Sequence, residues 1–215
     1  MNNTTALTLT GRNSSHFTRV ARIFAHELGV PIELDVVYDL RQRDAERFGG
    51  HPALKIPTLH MGTKSLWGTE NICRKLLELA GRSGDRSFVL CEHYADDALR
   101  CAQELVWTAM STQVQLRMGI AVCKLPADNA YFEKATASLI ASLAWLEAHI
   151  DEVIAALPSP RTTSVFEVTL FCLYEHLVFL RSAPLEPYPK LRRFCEDFSR
   201  RESAQATPFF MDAKP

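Results

Sequence analysis

A chain of 215 residues, 47% of them hydrophobic, is the size of one large or two small domains and can bury a core, which excludes a disordered chain. The formal charge of −1, from 24 basic and 25 acidic residues, favours neither nucleic acid nor an anionic membrane as a partner. No run of about 20 apolar residues is present, so no transmembrane helix is expected, and MNNTTALTLT lacks the basic stretch and apolar run of a secretory signal.

Residues 6–10, ALTLT, alternate and read as a strand. Gly11 to Ser15 form a polar turn. Phe17, Val20, Phe24 and Leu28 recur at helical spacing, and Gly29 ends that helix. PIELDVVYDL (31–40) is a second strand, followed by a polar helix over 41–48 that Gly49-Gly50 stops. ALKIPTLHM (53–61) is a third strand with Pro57 inside it, which a ladder tolerates only at an edge, a bulge or an end. A cis Ile56–Pro57 bond would free the Ile56 backbone from the ladder for a ligand. TKSLW is a fourth strand, joined to the third through Gly62-Thr63 as a hairpin, and a helix follows over 69–80. The order β-α-β-α-β-β-α predicts parallel pairing of the first three strands through right-handed crossovers.

GRSGDRSF (81–88) is rich in Gly, Ser and charge and reads as linker. The expected division is therefore an α/β domain over 1–81, a linker over 82–88 and an all-helical domain over 89–215. Its helices span 89–119, 129–157, 164–180 and 188–201, with PSPR (158–161) as a break. Ser164 and Glu167 stand at capping-box spacing. The helix they open is apolar almost all round, which places it at the domain's centre.

Six cysteines, at 73, 91, 101, 123, 172 and 195, include no C-x-x-C pair. Cys73, Cys101, Cys172 and Cys195 fall among apolar helical positions and read as buried, reduced thiols of a cytoplasmic protein. Cys91 and His93 stand two apart, so on a helix they do not face each other and no metal site is expected. The basic residues between Lys190 and Arg201 alternate with Glu196 and Asp197, a solvated helix face rather than a nucleic-acid surface.

Five segments in order resemble the cytosolic glutathione transferase superfamily. SSHFTRVARIF resembles its Ser/Cys-Pro-Phe-x-x-Arg start of helix one, and HPALKIPTL its Asn-Pro-x-x-x-Val-Pro-x-Leu segment with the cis-proline. GTENICRKL resembles Glu-Ser-x-Ala-Ile-x-x-Tyr-Leu, TSVFEVTLFCLYEHL the buried helix with its Ser/Thr-x-x-Asp cap, and YPKLRRFCEDFSRRESAQAT the closing segment. The chain departs from the family at His16, where a proline is usual, and at Gly68, where an acid usually helps hold the γ-glutamyl end. The resemblance implies a thioredoxin-like α/β N-terminal domain joined to an all-α C-terminal domain. It also implies glutathione as co-substrate with no metal, a hydrophobic electrophile as second substrate and a cytoplasmic homodimer.

It further implies roles for particular residues. Ser15, with Ser14 beside it, aligns with the donor that stabilises the glutathione thiolate; a plain helix N-cap is the other reading of Ser15. Thr69 and the first-turn N–H groups would hold the γ-glutamyl carboxylate, unless Thr69 only caps its helix. Glu70 would meet the ligand ammonium, or Asp96, Asp97 or Glu104 from a partner subunit. Ile56, before Pro57, would pair its backbone with the cysteinyl unit, and Lys55 would meet the glycyl carboxylate or be a plain surface lysine. Trp107, Met110 and Gln113 are candidates to line the electrophile pocket, with core or dimer interface as their other reading.

The chemistry sets a scale. A free thiol with pKa ~8.5 is about 3% ionised at pH 7. A hydroxyl donor adds roughly 1.5–3 kcal/mol and a helix start about 0.3–1, which together lower the pKa by about 2 units. Thiolate then rises about 25-fold while nucleophilicity falls about 8-fold, a net gain of only about threefold. Holding thiol and electrophile together must supply the rest. A transferase-fold binding or regulatory protein with weak catalysis is the alternative function.

Overall fold

The computed structural model describes residues 7–213, so the stretch 1–6, with Ala6 at the head of the expected first strand, lies outside the described residues. The elements run β1 (Leu7–Gly11), α1 (His16–Glu27), β2 (Glu33–Val36), β3 (Thr58–Met61), β4 (Lys64–Trp67) and α2 (Thr69–Leu79). They continue with β5 (Phe88–Val89), α3 (Asp97–Leu116), α4 (Ala130–Ala156), β6 (Thr163–Ser164), α5 (Val165–Leu180), α6 (Pro189–Phe198) and α7 (Glu202–Gln205). The chain divides into two compact units: one runs to Asp85 and resumes at Arg200, the other is Arg86–Ser199.

In the first unit the sheet order is β2-β1-β3-β4. β1 and β2 are parallel, joined through α1, but β3 runs antiparallel to β1, which corrects the expected parallel trio. The reason lies in the connection. Residues 41–48 form no full helix, only a 3-10 turn at Ala45–Phe48 closed by Gly49 at φ 66. A turn that short spans about 8 Å, and no crossover helix lies between β2 and β3 to carry the chain back along the sheet. The chain therefore re-enters from the end it left. Phe48 anchors this connection: it is buried, and its carbonyl accepts from the Thr58 hydroxyl at 2.9 Å. The strand expected over 53–61 begins only at Thr58, because Pro57 cannot join the ladder and Leu54 has φ 53. β3 and β4 form the expected hairpin.

Leu9 and Leu59 are cross-strand partners and fully buried, as are Val20 and Phe24 of α1 and Ile72 and Leu76 of α2. Each such side chain contributes about 1.5–3 kcal/mol on removal from water. The C-terminal segment also belongs here, not to the helical unit as the 89–215 boundary had it. Arg19 of α1 donates to the Ala204 carbonyl at 3.2 Å, and its guanidinium lies 4.4 Å from the centre of the Phe209 ring. Glu27 accepts from Arg201 at 2.9 Å and from Ser203 at 2.6 Å. The segment is thus stitched along α1 from end to end.

In the helical unit, the helix expected over 89–119 starts later. Phe88–Val89 pair in parallel with Thr163–Ser164, and the Asp96 carboxylate caps the Leu99 N–H at 2.9 Å. A π-helical segment, Arg117–Val122, follows α3. α5 is buried along most of its length, the central position its composition predicts. The helix expected over 188–201 ends at Phe198, ahead of the separate α7. The thiols form no disulfide; Cys73, Cys172 and Cys195 are buried, whereas Cys101 points out of α3 into solvent.

Candidate active site

The sheet register gathers the expected site residues at one end of the first unit. Thr10 of β1 pairs with Thr58 of β3, and Thr58 with Trp67 of β4. Because both pairings are antiparallel, three chain segments leave the sheet at this end. They are the loop Arg12–Ser15 after β1, Ile56–Pro57 before β3, and Gly68–Thr69 after β4. Adjacent strands lie ~4.8 Å apart, so the Thr10–Thr58–Trp67 row spans about 10 Å. The Ile56–Pro57 bond is cis, and Ile56 lies outside the ladder.

The loop after β1 is held on all sides. A Cβ on Gly11 would stand 2.5 Å from the Thr18 side chain, so glycine is required where loop and helix meet. Arg12 N–H donates to Thr18 Oγ1 at 3.3 Å and Ser15 N–H to the Arg12 carbonyl at 3.2 Å. Ser15 is the N-cap of α1, its Oγ accepting from Thr18 N–H at 3.2 Å. The hydroxyl proton is not used in that bond. His16, in the family's proline position, opens the helix and is buried with its ring edge-on to Phe17.

At α2 the cap is Gly68, not Thr69. Gly68 has φ 87 and makes no side-chain capping bond, while Thr69 is the first helical residue and buried. The opening N–H groups of a helix have no intrahelical acceptor, and here no side chain of the cap residue supplies one. Glu70, on the first turn, pairs with Arg74 at 3.3 Å, so its charge is shared with a cation one turn on. Lys55 is exposed. Nearby, the His51 ring lies 5.4 Å from Trp67, and its Nδ1 accepts from Ala53 N–H at 3.1 Å. Burial and the Lys55 charge hold the His51 imidazole below its ordinary pKa.

The residues expected from the helical unit are engaged within it. Asp96 caps α3, and Asp97 pairs with Arg100 at 2.8 Å, while Glu104 is exposed. Met110 is fully buried, and Gln113 donates to Ser182 at 2.9 Å and accepts from His176 Nδ1 at 2.9 Å. Both side chains are buried within the unit, whereas Trp107 is half-buried. His93 Nδ1 accepts from Leu90 N–H, and among the described residues no cluster of His, Cys, Asp or Glu could hold a metal ion. No helix there is long and apolar enough to cross a membrane.

Three residues at the site carried no local sequence signal: Arg12, Asn13 and Asp212. The Asp212 carboxylate accepts from the Asn13 backbone N–H at 3.0 Å and its side-chain amide at 2.6 Å, with Arg12 Nε at 3.7 Å. The Asn13–Asp212 bond joins residues 199 apart, beyond the reach of any spacing rule.

A thioredoxin-like α/β unit with a mostly helical second unit is the glutathione transferase fold. Solved structures with this fold include a glutathione S-transferase from Methylobacterium radiotolerans in complex with glutathione sulfonate. It is 17% identical over 98% of this chain and 99% of that one, with a TM-score of 0.76. A glutathione transferase family member from Pseudomonas fluorescens with bound glutathione is 21% identical over 95% and 100%, with a TM-score of 0.76. A glutathione S-transferase from Methylobacillus flagellatus with glutathione bound is 19% identical over 95% and 100%, with a TM-score of 0.75. Residues 9–84 match the family model described as the glutathione S-transferase N-terminal domain. No curated protein matches.

Proposed function

We propose that this chain is a glutathione transferase, in which the thiolate of bound glutathione attacks a hydrophobic electrophile. The observation that carries the reading is the convergence of the Ser15 loop, the Ile56 backbone and the start of α2 at one end of the sheet. Structures of similar fold bind glutathione, which supports the choice of ligand.

Each part has a task. Ser15 caps α1 with its lone pair and gives its proton to the glutathione sulfur. The N–H bond into its oxygen polarises the hydroxyl and makes it a better donor, so cap and thiol contact are compatible roles. Ser14 is the adjacent hydroxyl. The first-turn N–H groups of α2 receive the γ-glutamyl carboxylate, helped by the helix dipole. Ile56 pairs its backbone with the cysteinyl unit, Pro57 shapes that approach, and Lys55 meets the glycyl carboxylate beside His51. A net thiolate gain of only about threefold leaves most of the acceleration to positioning. A homodimer, a cytoplasmic setting and a role in detoxification accompany this reading.

A second reading, a transferase-fold binding protein with weak catalysis, is favoured by the absence of an acid at Gly68 and by the Glu70–Arg74 pair. Calorimetric titration with glutathione and conjugation of a chloronitroarene separate the two. The enzyme is expected to bind glutathione and turn over. Ser15→Ala should lose about threefold in turnover at pH 7, as losing the hydrogen bond raises the thiol pKa but restores part of its nucleophilicity. Ser15→Asp should lose as much while keeping its stability, since aspartate caps as well as serine but repels a thiolate. No binding at millimolar glutathione would leave the binding-protein reading.

A further inference from the structure

Asp212 lies near the far end of the chain, yet its side chain is only 3% exposed and both of its oxygens are taken by one residue of the site loop. Asn13 in turn accepts from Arg22 Nη1 of α1 at 2.7 Å through its side-chain oxygen. Asn13 is thereby clamped at its backbone N–H, its amide nitrogen and its amide oxygen. Two cations, the buried Arg19 and the half-buried Arg22, project from α1; burial and the charge of Arg19 lower the Arg22 pKa, while Asp212 opposes that shift. Asp212 thus supplies the anion that the Arg12–Arg22 cluster needs and the acceptor that the loop needs.

We infer that Asp212 is a positioning residue for the site hydroxyls. It fixes the peptide that leads into Ser14 and Ser15, and so the direction of the proton offered to the glutathione sulfur. The inference rests on the glutathione reading above. The other anchors of the ligand, Ile56 just before β3 and Thr69 at the start of α2, do not depend on the clamp. The segment itself stays docked without it, because Arg201, Ser203, Ala204 and Thr207 hold it to α1 independently.

The test compares the full-length protein with Asp212→Ala, Asp212→Glu and, as a control on the same exposed stretch, Met211→Ala. Amide hydrogen exchange over residues 12–18, read without glutathione, should speed up in Asp212→Ala and stay unchanged in Met211→Ala. In chloronitroarene conjugation, kcat should fall by up to the roughly threefold that the thiolate contact is worth, below the ~10²-fold that a 1 Å misplacement costs, with KM for glutathione unchanged. The acidic limb of the kcat/KM profile should move to higher pH, since a misdirected hydroxyl stabilises the thiolate less, and Asp212→Glu should restore part of both. Unchanged exchange in Asp212→Ala overturns the inference alone. So does a limb that moves to lower pH, which would mean the carboxylate acts by charge, or a rise in KM without a fall in kcat. A wild-type protein that binds no glutathione overturns the proposed function and this catalytic role with it, while the exchange result still reads the clamp.

Discussion

Ser164 and Glu167 bond each other in both directions: the Glu167 N–H donates to Ser164 Oγ at 3.1 Å, and that hydroxyl donates to the Glu167 carboxylate at 2.8 Å. Arg161 closes on the same carboxylate through two bonds of 3.0 Å. This start of α5 is the most heavily buried helix entry in the helical unit, with Ser164 and Val165 fully enclosed.

Ser164→Ala should therefore cost about 1–2 kcal/mol, the upper part of the range for N-cap loss. A lowered urea midpoint with an unchanged slope checks it. Glutathione affinity should not change, because the contact lies within the helical unit.

Gly68→Ala forces a side chain onto a φ of 87 and sets its Cβ 3.0 Å from Asn71 Nδ2, which donates to the Trp67 carbonyl. The left-handed backbone alone costs roughly 1–2 kcal/mol. Thermal unfolding should show that loss, and calorimetry should show glutathione binding several-fold weaker, as the start of α2 shifts.

Glu27 governs how the C-terminal segment responds to acid. Burial pushes its carboxyl up, but hydrogen bonds from Arg201 and Ser203 outweigh this and hold it below its ordinary 4.5. A depressed carboxyl contributes stability that is present above the unfolded value and lost as pH falls through the folded one. Hydrogen exchange across 200–213 should accelerate as pH drops below that ordinary value, after correction for intrinsic rates. Glu27→Gln should flatten this dependence.

Gln113→Leu removes the acceptor of the buried His176 Nδ1 proton and the donor of a part-buried bond to Ser182. It should cost about 1–3 kcal/mol, and Met110→Ala about 2–5. Unfolding curves measure both. KM for the electrophile should stay unchanged in folded protein, whereas a rise with stability intact would return these residues to a substrate pocket.

Much of the fold was legible in the residues because its signals act within a turn or two of chain. Phe17, Val20, Phe24 and Leu28 marked α1; Gly62 marked the β3–β4 hairpin; Ser164 and Glu167 marked the start of α5. The candidate site was half legible in the same way, since Ser15, Pro57 and Thr69 each stand at the edge of an element. Thr69 marked the first residue of α2, whereas the Gly68 cap was not legible, because a glycine at positive φ offers no side chain to read.

By itself the sequence determined the local elements, the two-part character of the chain and the polar turns where ligand chemistry could sit, for hydrophobic period and capping are short-range properties. Only the tertiary structure decided that β3 runs antiparallel, which depends on whether residues 37–57 can traverse the sheet. It also decided that Cys101 faces solvent and that Arg200 onward docks on α1. The bond from Asp212 to Asn13 belongs with these. Contacts between residues so far apart follow from the packing of the whole unit, and no local pattern encodes them.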